Sequence, residues 1–154
     1  MARSLSILLI EDDPNDVLLV QRAFQRTRSG IPLFVMPNGF EAVKYLSGEP
    51  PYDDRQSYPF PDFVLLDLGM PKMSGLEVLA WIRAQPNLKR LPVIILTSSG
   101  HEADAKKAYE AGANSFVVKP SSFDELVEAI RSLADFWLDG SKLPTIEPPG
   151  SNPS

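Results

Sequence analysis

The stretch Val64-Leu65-Leu66-Asp67-Leu68-Gly69-Met70-Pro71 predicts a buried strand that ends in an acid. Three consecutive apolar residues before Asp67 are typical of a strand that is covered on both faces, and Gly69 and Pro71 turn the chain directly after it. Taken alone, an Asp in this place is equally typical of a turn residue or of the N-cap of a following helix. The interpretation of Asp67 therefore depends on the residues at the ends of the other apolar runs.

Three further apolar runs also end in polar residues. They are 7–10, followed by Glu11-Asp12-Asp13, 93–96, followed by Thr97-Ser98-Ser99, and 116–118, followed by Lys119-Pro120. The carboxyl ends of parallel strands meet at one edge of a sheet, and open α/β sheets place their sites there. We therefore expect these polar side chains to lie together.

Five strands, each followed by a helix, predict a doubly wound parallel α/β sheet, because parallel neighbours need helical crossovers. Asp13 is predicted to cap the first helix, with Pro14 at its first position and Asp16 in its first turn. Asn38-Gly39-Phe40-Glu41 and Ser122-Phe123-Asp124-Glu125 resemble capping boxes. The predicted strands are 6–10, 33–36, 63–66, 93–96 and 116–118, and the predicted helices start near residues 13, 38, 74, 101 and 122.

Two segments have a different composition from the rest. Residues 49–62 hold four prolines and three aromatic residues, which indicates a long loop packed on the domain. Residues 139–154 are rich in proline and predict a draped or disordered tail. We therefore expect a domain at 1–138 and a tail at 139–154.

The composition narrows the classes of function. The net charge of −5 argues against nucleic acid or an anionic membrane as a partner. No segment approaches the roughly 20 apolar residues of a membrane helix, and the absence of cysteine agrees with a cytoplasmic location. The single histidine, His101, cannot form a multi-histidine metal site, and we interpret it as a surface residue.

The polar strand ends resemble a known family. Glu11-Asp12, Asp67 within LLDLGMPKMSG, Thr97-Ser98 and Lys119-Pro120 occur in the order found in receiver domains of two-component response regulators. The resemblance covers about residues 5–138 and implies a flavodoxin-like sheet of order 2-1-3-4-5 with five helices. The long loop before the third strand and the ending Phe136-Trp137-Leu138 are similar to stand-alone regulators that partner phytochromes.

The resemblance implies a role for each of these residues. Asp67 is the expected phosphoacceptor, since a carboxylate can form an acyl phosphate. Mg²⁺, which prefers oxygen ligands, is expected on Asp12, Asp67 and the backbone carbonyl of Gly69, with Glu11 acting through water. Lys119 is expected to pair with Asp67 and then with the phosphoryl group, and a cis bond before Pro120 would aim it there.

Signal output is expected to couple two further residues of the same pattern. Thr97 would donate its hydroxyl to the phosphoryl group, and Phe116 would rotate inward into the vacated space. The alternative for Phe116 is plain core packing. Gly69 and Ser99 occupy positions that tend to set how fast water attacks the acyl phosphate, so we expect a lifetime different from that of fast chemotaxis regulators.

The expected partners rest on the resemblance and on the last helix. A sensor histidine kinase, including phytochromes, is the expected phosphoryl donor. Phe136, Trp137 and Leu138 are consecutive, so they cannot all face one core. We expect a homodimer through the face formed by the fourth helix, the fifth strand and the fifth helix.

Three competing interpretations remain. A phosphatase with an aspartyl phosphate would need a second acid at position 69, which is glycine. A flavodoxin-like cofactor protein would need a phosphate-binding loop after the first strand, where three acids stand. A receiver-like interaction module that works without phosphorylation stays open. In the main interpretation the chain is a signalling protein, and its enzymatic role is limited to assisting its own phosphorylation and dephosphorylation.

Overall fold

The computed structural model describes residues 5–28 and 30–140, without the side chains of 28 and 138–140. Within those ranges five parallel strands form one sheet in the order β2-β1-β3-β4-β5, which confirms the predicted fold. The strands are β1 (Ile7–Ile10), β2 (Leu33–Met36), β3 (Phe63–Leu66), β4 (Val93–Thr97) and β5 (Ser115–Val118). The helices are α1 (Pro14–Arg28), α2 (Gly39–Ser47), α3 (Gly75–Ala84), α4 (Glu102–Glu110) and α5 (Phe123–Ala134).

Polar side chains start the helices where the sequence predicted them. Oδ1 of Asp13 accepts the N–H of Asn15 at 2.9 Å, which confirms Asp13 as the cap of α1. Ser122 accepts the N–H of Glu125 at 3.1 Å, which is one half of the capping box predicted there. Asn38 likewise accepts the N–H of Glu41 at 2.8 Å.

Successive side chains of a strand point to opposite faces of the sheet, so the core is divided into two layers. Leu8 and Ile10 of β1 pack on the side of α2 and α3, whereas Ile7 and Leu9 pack on the side of α1 and α5. Every residue of β1 and β3 is buried. This pattern is expected of central strands with helices on both faces, and it leaves the ends of the strands as the place for polar groups.

The loop between α2 and β3 packs on the domain, as its aromatic residues predicted. The rings of Tyr52 and Tyr58 are 5.2 and 6.2 Å from the ring of the buried Tyr45, measured between centroids. The guanidinium of Arg55 lies 5.5 Å from the Tyr45 ring and donates a 3.2 Å hydrogen bond to the carbonyl of Leu46. The loop is therefore attached to α2 by both ring contacts and hydrogen bonds.

Two details differ from prediction. Among the described residues the cis peptide bond is between Pro50 and Pro51, so the expected cis bond before Pro120 was wrong. A lysine side chain is long enough to reach a neighbouring strand end without it. The carboxylate of Glu41 does not close a capping box but accepts the hydroxyl of Tyr52 at 2.7 Å, because the loop brings that hydroxyl within reach.

The C-terminal end of α5 continues into a π-helical segment, Asp135–Gly140. Trp137 packs against the core layer of α1 and α5, while Phe136 is 57% exposed. The side chain of Leu138 and the predicted tail beyond residue 140 lie outside the described residues. Within the described ranges, no helix is both long enough and apolar enough to cross a membrane.

Candidate functional site

Three carboxylates gather at the carboxyl edge of the sheet. Strands β1 and β3 are in register at Ile10 and Leu66, so the residues that come after them, Glu11 and Asp67, become neighbours. Carboxylate oxygens of Glu11, Asp12 and Asp67 all lie within 4.8 Å of one another. Glu11 and Asp67 are buried, whereas Asp12 is exposed. Parallel pairing thus brings distant parts of the chain into one acidic cluster.

Glu11, which directly follows β1, is one of the two buried acids of this cluster. Its Oε2 accepts the backbone N–H of Asp12 at 3.1 Å. Burial raises the pKa of Glu11 to about 7, against the opposing effect of the Lys119 ammonium and with a further increase from the neighbouring Asp67. The burial of Glu11 beside Asp67 therefore favours a proton or a cation at this site.

Lys119 supplies one such cation. Its backbone N–H donates a 2.7 Å hydrogen bond to the carbonyl of Thr97, which extends the pairing of β5 with β4 as far as the edge. Its Nζ atom donates to Oε1 of Glu11 and, at 2.8 Å, to Oδ2 of Asp16, and it lies 3.9 Å from Oδ2 of Asp67. The structure therefore brings Lys119 to the predicted site, although Asp67 is the most distant of its three acidic partners.

Burial lowers the pKa of Lys119, but the hydrogen bonds to Asp16 and Glu11 and the charge of Asp67 outweigh this effect, so the pKa is raised. The ammonium therefore stays charged at neutral pH. Its single positive charge does not neutralise the surrounding carboxylates, because three of them, Glu11, Asp16 and Asp67, lie within ion-pair distance.

The acidic cluster fits a hard divalent cation. Three carboxylates offer oxygen donors at a spacing that a single ion can bridge, and their excess negative charge favours one. Gly69, whose carbonyl was predicted as a further ligand, is exposed, and its N–H lies 3.4 Å from Oδ1 of Asp67. These groups could hold a metal and leave an Asp67 oxygen for reaction.

The two predicted switch residues lie on the adjacent strands. Thr97 is 1% exposed at the end of β4, and its hydroxyl accepts the N–H of Ser99 at 3.4 Å. Phe116 is partly buried against the core layer of α2 and α3. Its N–H, on the outer edge of β5, donates to the hydroxyl of Tyr109 at 3.1 Å. Sequence reasoning missed this link because an exposed helical tyrosine has no distinctive pattern.

Asp16 is a second residue that sequence reasoning assigned only to the helix start. Helix α1 begins two residues after Asp12, so its first turn starts at the same edge of the sheet, and this closeness in sequence could have indicated the place of Asp16 beside the cluster. His101 lies exposed at the N-cap of α4, in agreement with the interpretation of a surface residue.

The comparisons with known proteins agree on one family. The response regulator receiver domain family matches residues 7–131. The response regulator Rcp1 of Synechocystis sp. is 36% identical over 138 residues, which cover 90% of this chain and 92% of Rcp1.

Two solved structures are similar over the same span. The phosphorylated cyanobacterial phytochrome response regulator RcpA has a TM-score of 0.85 and 34% identity, over 93% of this chain and 100% of that one. The Mn²⁺-bound form of Rcp1 has a TM-score of 0.81 and 35% identity, over 92% of this chain and 99% of that one.

Receiver domains are signalling proteins rather than classical enzymes: a kinase phosphorylates them, and they bind a divalent metal at an acidic cluster. The sheet order and the cluster of Glu11, Asp12 and Asp67 agree with that description. The family match covers most of the chain, and Rcp1 is similar over nearly its whole length. The chain belongs to the response regulator receiver domain family.

Proposed function

We propose that this receiver takes a phosphoryl group onto Asp67 from a sensor histidine kinase in a Mg²⁺-dependent reaction and signals by protein contact. The observation that carries the proposal is the position of Asp67, which lies beside two further carboxylates and within ion-pair distance of Lys119. A nucleophilic carboxylate next to a metal site and a fixed cation is the arrangement that phosphoryl transfer requires.

The proposed reaction is an in-line displacement. An Asp67 oxygen forms a bond to phosphorus as the P–N bond of a phosphohistidine breaks, and the imidazole leaves with the electron pair and takes up a proton. Mg²⁺ would be held by Asp12, Asp67 and the Gly69 carbonyl, with Glu11 acting through water, and it would supply positive charge to the phosphoryl oxygens. Lys119 and the hydroxyl of Thr97 bind the same oxygens.

Phosphorylation by a small-molecule donor tests the proposal. Incubation with phosphoramidate and Mg²⁺, followed by intact mass spectrometry, should show the gain of a single phosphoryl group in the wild type and none in Asp67→Asn. A wild type that stays unmodified would favour the alternative, an interaction module that works without phosphorylation.

Thr97 and Phe116 are proposed to transmit the signal. Gly69 is proposed to set how long the phosphoryl group lasts. Thr97 moves toward the phosphoryl group and Phe116 rotates into the space, which couples the edge of the sheet to the face of α4, β5 and α5. Gly69 leaves the phosphoryl group open to water, since it carries no side chain and is exposed. The half-life of the phosphorylated wild type compared with Gly69→Asn tests the role of Gly69, and equal half-lives would exclude it.

The proposed output surface is a homodimer interface on the face of α4, β5 and α5. A groove of about 350 Å³ lies between β5 and the end of α5, lined by Val117, Leu133, Phe136 and Trp137 among others. Its apolar walls and the 57% exposure of Phe136 are features that a second copy would cover. Leu138 is proposed to extend the same surface.

Sedimentation velocity tests the dimer at micromolar concentration. Phe136→Ala and the double variant Phe136→Ala/Leu138→Ala should shift the protein toward the monomer. The matched control is Phe40→Ala on α2, since Phe40 is also 57% exposed but lies on another face. A wild type that is already monomeric, with and without phosphoramidate, would exclude the interface.

The kinase is proposed to be a phytochrome, because the similar proteins include a cyanobacterial phytochrome response regulator. The proposed receiver spans residues 1–138, followed by a tail at 139–154, and acts in the cytoplasm. Phosphotransfer from a purified, phosphorylated phytochrome kinase, compared with a non-phytochrome histidine kinase, tests the partner.

A further inference from the structure

The ammonium of Lys119 is bound by an acid that belongs neither to the metal cluster nor to the acceptor. Its Nζ atom is 2.8 Å from Oδ2 of Asp16 and 3.9 Å from Oδ2 of Asp67. The Lys119 side chain is 12% exposed and that of Asp16 is 32% exposed, so their contact is partly shielded from water. Asp16 is therefore a stronger partner of the lysine than the acceptor is.

The local structure explains why Asp16 is available for this contact. It is the third residue of α1, where the helix dipole favours a negative charge. The capping contact at this helix end is made by Asp13, through the N–H of Asn15, so the Asp16 carboxylate is directed to the lysine. The start of α1 thus adds an acid to the edge of the sheet beside Glu11, Asp12 and Asp67.

We infer that Asp16 is a positioning residue that holds Lys119 back from Asp67 in the unphosphorylated protein and competes with the phosphoryl group for its ammonium. The inference rests on the proposed phosphorylation of Asp67. When the phosphoryl group forms, Lys119 exchanges the Asp16 carboxylate for a phosphoryl oxygen. Asp16 thereby weakens phosphorylation, and its loss strengthens it.

The charges and the distances from Lys119 Nζ to Asp16 and Asp67 explain why Asp16 and the phosphoryl group compete for the ammonium. The phosphoryl group carries two negative charges and binds the ammonium more strongly than a single carboxylate does. Nζ has to approach Asp67 more closely than the present 3.9 Å to make a charge-assisted hydrogen bond there. The Asp16 contact opposes that movement, whereas Glu11 lies on the Asp67 side, within the same cluster of carboxylates.

Three variants separate this effect from a simple loss of charge. Asp16→Asn weakens the contact with Lys119, and Asp16→Glu restores a carboxylate. Asp13→Asn removes a charge three residues away and keeps an N-cap, because Asn caps as well as Asp. Each variant is phosphorylated with increasing phosphoramidate at fixed Mg²⁺, and occupancy is measured by intact mass.

In Asp16→Asn, the phosphoramidate concentration for half occupancy should fall about threefold, which corresponds to the strength of a partly exposed ion pair. Asp16→Glu should return toward the wild type, and Asp13→Asn should stay near it. The NMR resonance of the Lys119 Cε group should differ between wild type and Asp16→Asn before phosphorylation and coincide afterwards.

The outcomes distinguish the two proposals. A wild type that takes up no phosphoryl group contradicts the proposed function itself. A wild type that is phosphorylated normally, with Asp16→Asn equal to it or less readily phosphorylated, overturns only the role of Asp16. An equal gain in Asp13→Asn and Asp16→Asn would also overturn it, since general charge would then explain the effect.

Discussion

The backbone of Leu68 leaves no room for a side chain at Gly75. A Cβ atom at Gly75 would lie 2.7 Å from Cα of Leu68, and the N–H of Gly75 donates a 3.3 Å hydrogen bond to the Leu68 carbonyl. The first turn of α3 therefore rests directly on the segment that comes after Asp67. This close approach fixes the direction in which the chain leaves the acceptor.

Gly75→Ala should destabilise the domain by about 2 kcal/mol or more, because the added methyl group meets backbone rather than a flexible side chain. The displaced segment carries Asp67, so phosphoryl occupancy should fall as well. Urea denaturation and intact mass after phosphoramidate measure the two effects. Gly30→Ala is the matched control, since a Cβ there meets nothing within 4 Å and Gly30 lies before β2, away from the acceptor. Equal stability of the two variants would contradict the prediction.

Divalent metal should stabilise the protein through the acidic cluster. At ten times its dissociation constant, Mg²⁺ or Mn²⁺ should add about 1.4 kcal/mol, because it binds the folded chain and not the unfolded one. Asp12→Asn should remove this gain, and its exposure means that the metal-free protein should still fold. Thermal denaturation with and without metal measures the gain. Asp53→Asn, an exposed acid in the loop before β3, should behave as the wild type.

The hydroxyl of Tyr52 should ionise at unusually high pH. The hydrogen bond to Glu41, followed by burial and the charge of Glu41, raises the pKa of Tyr52 to about 12. The raised value favours the folded state up to the ordinary tyrosine pKa of about 10, and the contribution is lost as the pH rises through about 12. Glu41→Gln should therefore lower this pKa toward 10, as measured by ultraviolet titration of tyrosinate.

Two further variants complete the Tyr52 experiment. Tyr52→Phe should cost about 1 kcal/mol below pH 10, which is the usual net value of a hydrogen bond in a partly exposed place. Glu49→Gln, at an exposed acid near the same loop, is the control and should leave the tyrosine titration unchanged. A titration of Glu41→Gln identical to the wild type would mean that the 2.7 Å contact does not persist in solution.

Sequence reasoning located the strand ends because their order along the chain determines which of them meet. Apolar runs before Glu11, Asp67 and Lys119 were sufficient to predict their convergence, since parallel strands align their carboxyl ends. The order of the strands does not predict which acids bind the Lys119 ammonium. These contacts depend on how α1 packs on α5, which sets whether Asp16 or Asp67 is nearer.

The hydrogen-bond partners of individual polar side chains also could not be predicted from the sequence. Glu41 fits a capping box in sequence, but its carboxylate goes to a tyrosine eleven residues later, because the intervening loop folds back. The expected cis bond before Pro120 rested on the resemblance alone. Tertiary contacts decide between such alternatives.

Arg83 joins three segments at the amino edge of the sheet, opposite the acidic cluster. Its guanidinium donates to the carbonyls of Gly112 and Leu91 at 2.8 Å and to Oδ1 of Asn114 at 2.9 Å. Burial lowers its pKa. A planar group with several fixed donors makes these contacts together, which a lysine ammonium cannot do.

Arg83→Lys should therefore reduce the free energy of unfolding by about 2 kcal/mol, since several partly buried acceptors lose a charged donor. Phosphoryl occupancy at room temperature should stay unchanged, because the contacts lie before β4 and β5 and the acceptor edge lies after the strands. Urea denaturation and intact mass measure the two quantities. Arg90→Lys is the control at an exposed arginine in the neighbouring turn and should affect neither. A loss of phosphorylation in Arg83→Lys without a loss of stability would mean that the two edges of the sheet are coupled.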